Sequence, residues 1–526
     1  MGLFDFVAGL SKRSFGDPPP EPDVTVVSAR GAPSTPEQER LGEALASEGN
    51  QLQLLVSGHE ALPAFLNSIA SAKHHIHLQT MLFFDDAAAR LVQHALQKKA
   101  AEGVAVRVLF EYFTTALGDP FFSKGISPLS VEKLVGELED AGVEVRDGAC
   151  FSLQLVDRME LSVIVRSLES MARLEQSAVP VWMRDELATQ QMRFIARVRE
   201  VLTDPRLQQA TRGLRDLGES MGPEVERLLS PIRYLRQFLL HDHRKILVVD
   251  GRAGMCGGMN VGQEYLYQHP YDPAVPAEEE AKVPGSEEPW EKWRDVHLHV
   301  VGPAVNRLQR LFVEGWCRAG GNFAPDDSEL GALFPAPDHA GTSRVWVLST
   351  APGNRNEVEN RLIAEIYRAK QTVRVSNPYL IREGVIGSLL GAARRGRRVQ
   401  LLGADRHNDS FLHRWMARGA QGWYQEAGVE VHEYVNHFTH AKVAVFDEQT
   451  ALVGSYNFNN RSALLDFECS LLIEDPEFAR DVTTRVFDAP IRAEHTRKIE
   501  SGLDELLDFD RILGAKLLVD SFPDVF

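Results

Sequence analysis

Two stretches of this chain spell the same sparse pattern in the same register, and that doubling constrains the fold more than any other feature. His243-x-Lys245 is followed by Asp250, and His440-x-Lys442 by Asp447. Counting from each histidine, a glycine falls 14 residues on (Gly257, Gly454), a small residue at 15 (Gly258, Ser455) and an asparagine at 17 (Asn260, Asn457). A shared register of this length marks an internal duplication, which is settled before any fold is named. The duplication extends upstream, since Ala141 to Val145 and Ala427 to Val431 are the same five residues, Ala-Gly-Val-Glu-Val. From that glycine to the histidine is 101 residues in the first copy and 12 in the second, so the first copy carries about 89 extra residues.

The extra length falls mainly between Phe151 and Ser230, which has arginines but no lysine and helix-favouring spacing, so a helical insertion over 151–230 is expected. Residues 269–289 differ in kind. Pro270, Pro273, Pro276, Pro284 and Pro289 surround the run Glu278-Glu279-Glu280, which reads as a flexible loop. With that loop removed, Asp295 and Glu468 come into register behind their histidines.

Alternating helix and strand patterns run on either side of a linker at Pro325 to Thr342. The expected fold is α/β, with residues 1–50 a flexible lead-in, 51–324 and 342–490 two domains, and 491–526 a C-terminal helical tail. In the tail, Leu503, Leu506, Leu507, Leu513, Leu517 and Leu518 read as a core-packing stripe.

Alternation along a strand sends His243 and Lys245 to one face, and likewise His440 and Lys442. Two such strands meeting at an interface would gather two imidazoles and two ammonium groups, a set suited to a phosphodiester. The lysines stabilise charge on nonbridging oxygens, one histidine attacks phosphorus and the other protonates the leaving alkoxide, with no metal or cofactor required. Asn260 and Asn457 add neutral donors. Asp295 and Glu468 are the candidates to orient the imidazoles. Asp250 and Asp447 are assigned a structural role at the strand ends, alongside Gly257, Gly258, Gly454 and Ser455.

Composition narrows the partners. The net charge of −17 disfavours nonspecific nucleic-acid binding, which depends on Lys and Arg neutralising phosphates. The four cysteines are far apart with no CxxC pair, so reduced thiols are expected rather than a zinc site or a disulfide framework. No apolar run is long enough to span a bilayer, and no signal sequence is recognisable. The run Arg394-Arg395-Gly396-Arg397-Arg398 reads as a solvated helix end rather than a lipid-docking patch.

These residues resemble the phospholipase D superfamily, and within it the bacterial cardiolipin synthases. The likeness is carried by His243-Arg244-Lys245, Gly257 to Gly262, Trp293-Arg294-Asp295, Asn377-Pro378-Tyr379, His440-Ala441-Lys442, Gly454 to Asn457, Arg461-Ser462 and Glu468. It implies two phospholipase D-like domains related by a pseudo-twofold axis, each a mixed sheet flanked by helices, with one site between them. It further implies a phosphohistidine intermediate, His243 as nucleophile and His440 as general acid then base. Glu468 would then serve His243 and Asp295 His440, crosswise. The implied activity is phosphatidyl transfer from phosphatidylglycerol to make cardiolipin-type lipid; the alternative is a hydrolytic phospholipase D or another phosphodiesterase, a nuclease being disfavoured by charge. Phospholipid substrates and a peripheral place on the inner, cytoplasmic face of the cell membrane follow as expectations. The sequence leaves the oligomeric state open, and the 151–230 insertion is expected to cap the site.

Overall fold

The computed structural model describes residues 18–22, 46–117, 128–148, 240–268, 293–323, 331–352, 355–404, 411–435 and 437–499. The expected insertion at 151–230, the loop at 269–289, Cys150 and the leucine stripe of the tail lie outside these residues.

The first half contributes β1 (Ala46–Val56), β2 (His75–Gln79), β3 (Ala105–Phe110), β4 (Glu144–Asp147), β5 (Ile246–Val249), β6 (Ala253–Gly257) and β7 (Val296–Val301). The second contributes β8 (Ser343–Ala351), β9 (Arg355–Asn356), β10 (Thr372–Ser376), β11 (Arg398–Ala404), β12 (Glu430–Tyr434), β13 (Val443–Phe446), β14 (Thr450–Gly454), β15 (Glu468–Glu474) and β16 (Thr496–Lys498). Each half repeats one order. The path β1-β7-β6-β5-β2-β3-β4 is matched by β8-β15-β14-β13-β10-β11-β12, with β16 added at the outer edge. In both, the first helix-linked strand runs parallel to the next two and antiparallel to the strand that follows the His-x-Lys segment. The duplicated sequence thus folds into duplicated α/β units, the architecture expected.

Two boundaries differ from expectation. The lead-in ends early, because β1 starts at Ala46 and pairs antiparallel with β7 over Gln51–Val56 and with β8 at Ala46, Ser47 and Asn50. It therefore joins both halves into one continuous sheet. Thr496–Lys498, placed by sequence in a helical tail, is a strand paired to β12. Its three polar residues carry no helical or strand period of their own; the open edge of β12 supplies the structure.

Helices cover the outer faces. In the first half α1 (Gly58–Ser71) and α2 (Ala87–Ala101) pack Leu62, Phe65, Ile69, Val92 and Leu96 against Ile76, Leu78, Val106 and Val108. In the second, α3 (Glu357–Arg368) and α4 (Glu383–Arg394) pack Leu362, Ile366, Val385 and Leu389 against Val373, Val375 and Val399. A third core lies between the halves, where Val248, Cys256, Val296 and Leu298 meet Val443, Val445, Val453 and Leu471. This apolar seam fixes the halves face to face and so fixes the distance between the two His-x-Lys segments.

Asp250 and Asp447 act at the far end of the sheets. Both adopt left-handed backbone, with φ of 54° and 53°. Each carboxylate accepts three successive backbone N–H groups at 2.8 Å, from Lys73, His74 and His75 in one half and Lys370, Gln371 and Thr372 in the other. They tie the turn after β5 and β13 to the starts of β2 and β10. Three arginines of the basic run at the end of α4 are engaged: Arg395 pairs with Glu21, Arg397 donates to backbone carbonyls and Arg398 pairs with Glu430.

Candidate active site

Each His-x-Lys segment is an extended run that enters a strand, and each is clasped by the other half. His243 N–H donates to Phe467 O and Phe467 N–H to His241 O; in mirror fashion Arg294 N–H donates to Phe438 O and His440 N–H to Arg294 O. These two short bridges, Asp242 with Phe467 and Arg294 with Thr439, set the carboxylates two-by-two opposite the histidines. His243 Nδ1 lies 3.0 Å from both oxygens of Glu468, and His440 Nδ1 lies 2.7 Å from Oδ2 of Asp295. The pairing crosses the halves. An acceptor at Nδ1 fixes the tautomer and leaves Nε2 for chemistry.

The lysines stand beside their histidines. Lys245 Nζ donates to His243 O at 2.6 Å and Lys442 Nζ to His440 O at 2.5 Å. Both are buried. Burial pulls the Lys245 ammonium down to about 8, opposed by Glu468 and Asp295, so two cations and two acids balance in one enclosed space. Burial also pushes Glu468 up to about 7 and Asp295 to about 6, against the neighbouring lysines. Both imidazoles are held well below their usual range by burial and then by the lysine charges.

The asparagines are unequal. Asn260 Oδ1 accepts from Thr80 Oγ1 at 3.1 Å and from Leu82 N–H at 3.3 Å, which turns its amide nitrogen outward as a donor. Asn457 is buried with its Oδ1 unpartnered among the described residues, while its own N–H donates to Ser462 Oγ. The small-residue positions also differ between halves. At Gly258 the Asp295 carboxyl fills the space a Cβ would need. At the matching position Ser455 donates its hydroxyl to Glu468 Oε2, and Ser462 donates to Oε1 at 2.5 Å. Ser455, given a purely structural role from sequence, thus holds the acid that orients His243. The part played by Ser462 follows from no spacing rule, although it sits in the Arg461-Ser462 pair quoted above.

The two histidines have different surroundings. His440 is ringed by Trp293 (5.3 Å between centroids), Tyr265 (5.4 Å), Phe438 (5.8 Å) and Tyr379 (6.2 Å). His243 instead feels the charges of Asp466 and Glu111, and Asp466 accepts from Arg461 Nε. Behind the site, Asp242 is held between Arg244 and Arg318, with Arg318 stacked 3.9 Å over Phe467.

A protein-family model described as cardiolipin synthase, PLD-like domain, matches residues 362–488, the second of the two units. The second unit is a PLD-like domain. Among characterised relatives, it is 26% identical over 88% of its length to a cardiolipin synthase of Halalkalibacterium halodurans and 26% identical over 84% to cardiolipin synthase 2 of Bacillus cereus. These matches span 69% and 65% of the relatives' own lengths. The crystal structure of phosphatidylserine synthase from Haemophilus influenzae superposes with a TM-score of 0.55 over 90% of this chain and 95% of that one at 12% identity, a likeness of fold. Both halves of the duplication belong to that fold, although the family model covers only the second.

Proposed function

We propose that this protein is a phosphatidyl transferase that makes cardiolipin-type phospholipid from phosphatidylglycerol through a phosphohistidine intermediate. The observation that carries the reading is the crosswise pairing of two His-x-Lys segments with Glu468 and Asp295 around one buried space. His243 Nε2 attacks phosphorus, and the bond from phosphorus to the headgroup glycerol breaks as His440, entering the step as imidazolium against the Asp295 carboxylate, gives that oxygen its proton. The acceptor hydroxyl then attacks from the same side, His440 takes its proton back, and the bond from His243 to phosphorus breaks. Lys245, Lys442, Asn260 and Asn457 serve the nonbridging oxygens, whose charge grows in each transition state.

The aromatic ring around His440 favours transfer over hydrolysis. Trp293, Tyr265, Tyr379 and Phe438 leave little polar surface on which water could wait beside the base, so a lipid alcohol competes better there. The similarity to cardiolipin synthases supports phospholipids as both donor and acceptor. No helix among the described residues is long and apolar enough to cross a membrane, and the reading has the enzyme working peripherally on the inner face of the cell membrane.

The test is to incubate the purified protein with phosphatidylglycerol vesicles and follow products by mass spectrometry, with His243→Ala and His440→Ala alongside. Cardiolipin and free glycerol, lost in both variants, are expected. Phosphatidic acid in place of cardiolipin would move the enzyme to the hydrolytic class.

A further inference from the structure

Two residues before each catalytic histidine, and two before each orienting carboxylate, the halves diverge. Around His440 those positions hold Phe438 and, from the first half, Trp293, whose rings meet edge to face at 4.9 Å. Around His243 they hold His241 and, from the second half, Asp466. Alternation along the bridged segments puts His241 on the same side as His243, and Asp466 on the same side as Glu468. Where one histidine has an aromatic wall, the other has an ionisable one.

That wall contains a third imidazole–carboxylate pair. His241 Nδ1 lies 2.5 Å from Glu111 Oε2, and Glu111 is fixed in turn by the Thr114 hydroxyl at 2.5 Å and by Asp242 N–H at 2.6 Å. The construction copies the two catalytic pairs, with an acid behind Nδ1 and Nε2 left over. Next to it Arg461 donates from Nε to Asp466 Oδ2 at 3.1 Å, and its charge is felt at Glu111. Both acids are buried, whereas His241 and Arg461 keep 13% and 21% of their side-chain surface exposed. An imidazole and a guanidinium thus stay partly exposed, each anchored on a buried carboxylate.

We propose that His241 and Arg461 form a subsite for a second phosphodiester, the one carried by the acceptor lipid. The inference rests on the transfer reading above and names what its acceptor must bear. Two residues of extended chain span about 6.6 Å, so His241 stands beside His243 at the reach of the glycerol that separates the two phosphates of a cardiolipin-type product. Guanidinium and imidazolium groups suit a phosphodiester better than a bare hydroxyl, and an arriving anion draws the second proton onto His241. An alcohol without a phosphate finds no use for this subsite.

The test partitions one intermediate between two acceptors. Phosphatidylglycerol vesicles are supplied with 1-propanol, and the ratio of cardiolipin to phosphatidylpropanol is read by mass spectrometry for the full-length protein and for His241→Gln, Arg461→Gln and Arg461→Lys. Both products draw on the same donor, so the ratio does not depend on how much of a variant is folded. The ratio should fall at least about tenfold in His241→Gln and Arg461→Gln, a loss of one charged contact, and less in Arg461→Lys, which keeps the charge. An unchanged ratio, or two products falling in proportion, would overturn the subsite while leaving transfer intact. Absence of both products from the unmodified protein would sink the transfer reading and the subsite with it.

Discussion

His440 Nδ1 stands 2.7 Å from the Asp295 carboxylate, although 145 residues separate the two in the chain. Glu468 reaches the other way, to His243, across 225. Each half thus carries an imidazole that is oriented only by its partner. Asp295→Asn keeps the shape but offers the wrong tautomer to His440. Turnover should fall between about a hundredfold and ten thousandfold with little change in melting temperature. A loss below tenfold, measured on phosphatidylglycerol vesicles, would remove Asp295 from the mechanism.

The pH profile should be a bell. The orienting acids must be ionised, and burial puts Asp295 at about 6 and Glu468 at about 7, so activity rises with pH through that range. Lys245 must stay protonated, and burial puts it at about 8, so activity falls beyond it. kcat/KM for a small soluble phosphodiester, followed from acid to alkaline pH, reads both limbs. A profile that stays level across pH 6 to 8 would contradict the assignment of these groups.

Ser455 and Ser462 each donate to Glu468, and those donors oppose the upward push of burial on its pKa. Removing both, as Ser455→Ala with Ser462→Ala, should therefore carry the acid limb of the bell toward higher pH by up to about one unit and lower the maximum by about tenfold. The alkaline limb should stay where it was. Movement of both limbs together would point to a general distortion of the site.

Asp250 is a stability residue. Burial would raise its carboxyl, but three backbone N–H donors outweigh that and hold it below the ordinary carboxylate range. Such a group stabilises the fold above its unfolded pKa and ceases to as pH drops through the folded one. Asp250→Ala should cost about 2 to 4 kcal/mol at neutral pH, from lost charge-assisted bonds and from a left-handed φ that alanine tolerates poorly. In urea melts the gap between the variant and its parent should narrow below about pH 4. A gap that does not depend on pH would assign the effect to backbone strain alone.

Much of this was legible in the sequence because the duplication samples the same geometry twice. The His-x-Lys alternation, the asparagine at 17 and the removable loop before Asp295 are local spacings, and local spacings survive in sequence. What was not legible depends on pairings between distant segments. β1 begins in the polar stretch Ala46 to Asn50, which has no strand period; its shape comes from Trp346, Val345 and Ser343 on β8. Glu111 and His241 are 130 residues apart, so nothing in the motif around His243 announces the carboxylate behind His241. Ser455 reads as a small structural residue because its counterpart is Gly258, which serves only as clearance for Asp295.

The place of β1 between β7 and β8 has a consequence for synthesis. This strand leaves the ribosome early, yet its first partner is complete only once Val296 to Val301 have been added, and its second after Ser343 to Trp346. At ordinary translation speeds the wait is about ten to fifty seconds. Through that interval Leu54, Leu55 and Val56 have no sheet to join, so the newborn chain is at its most adhesive before either histidine of the first half has met its acid. Slower synthesis should therefore lower the yield of native protein, and a chaperone that shields early segments should restore it.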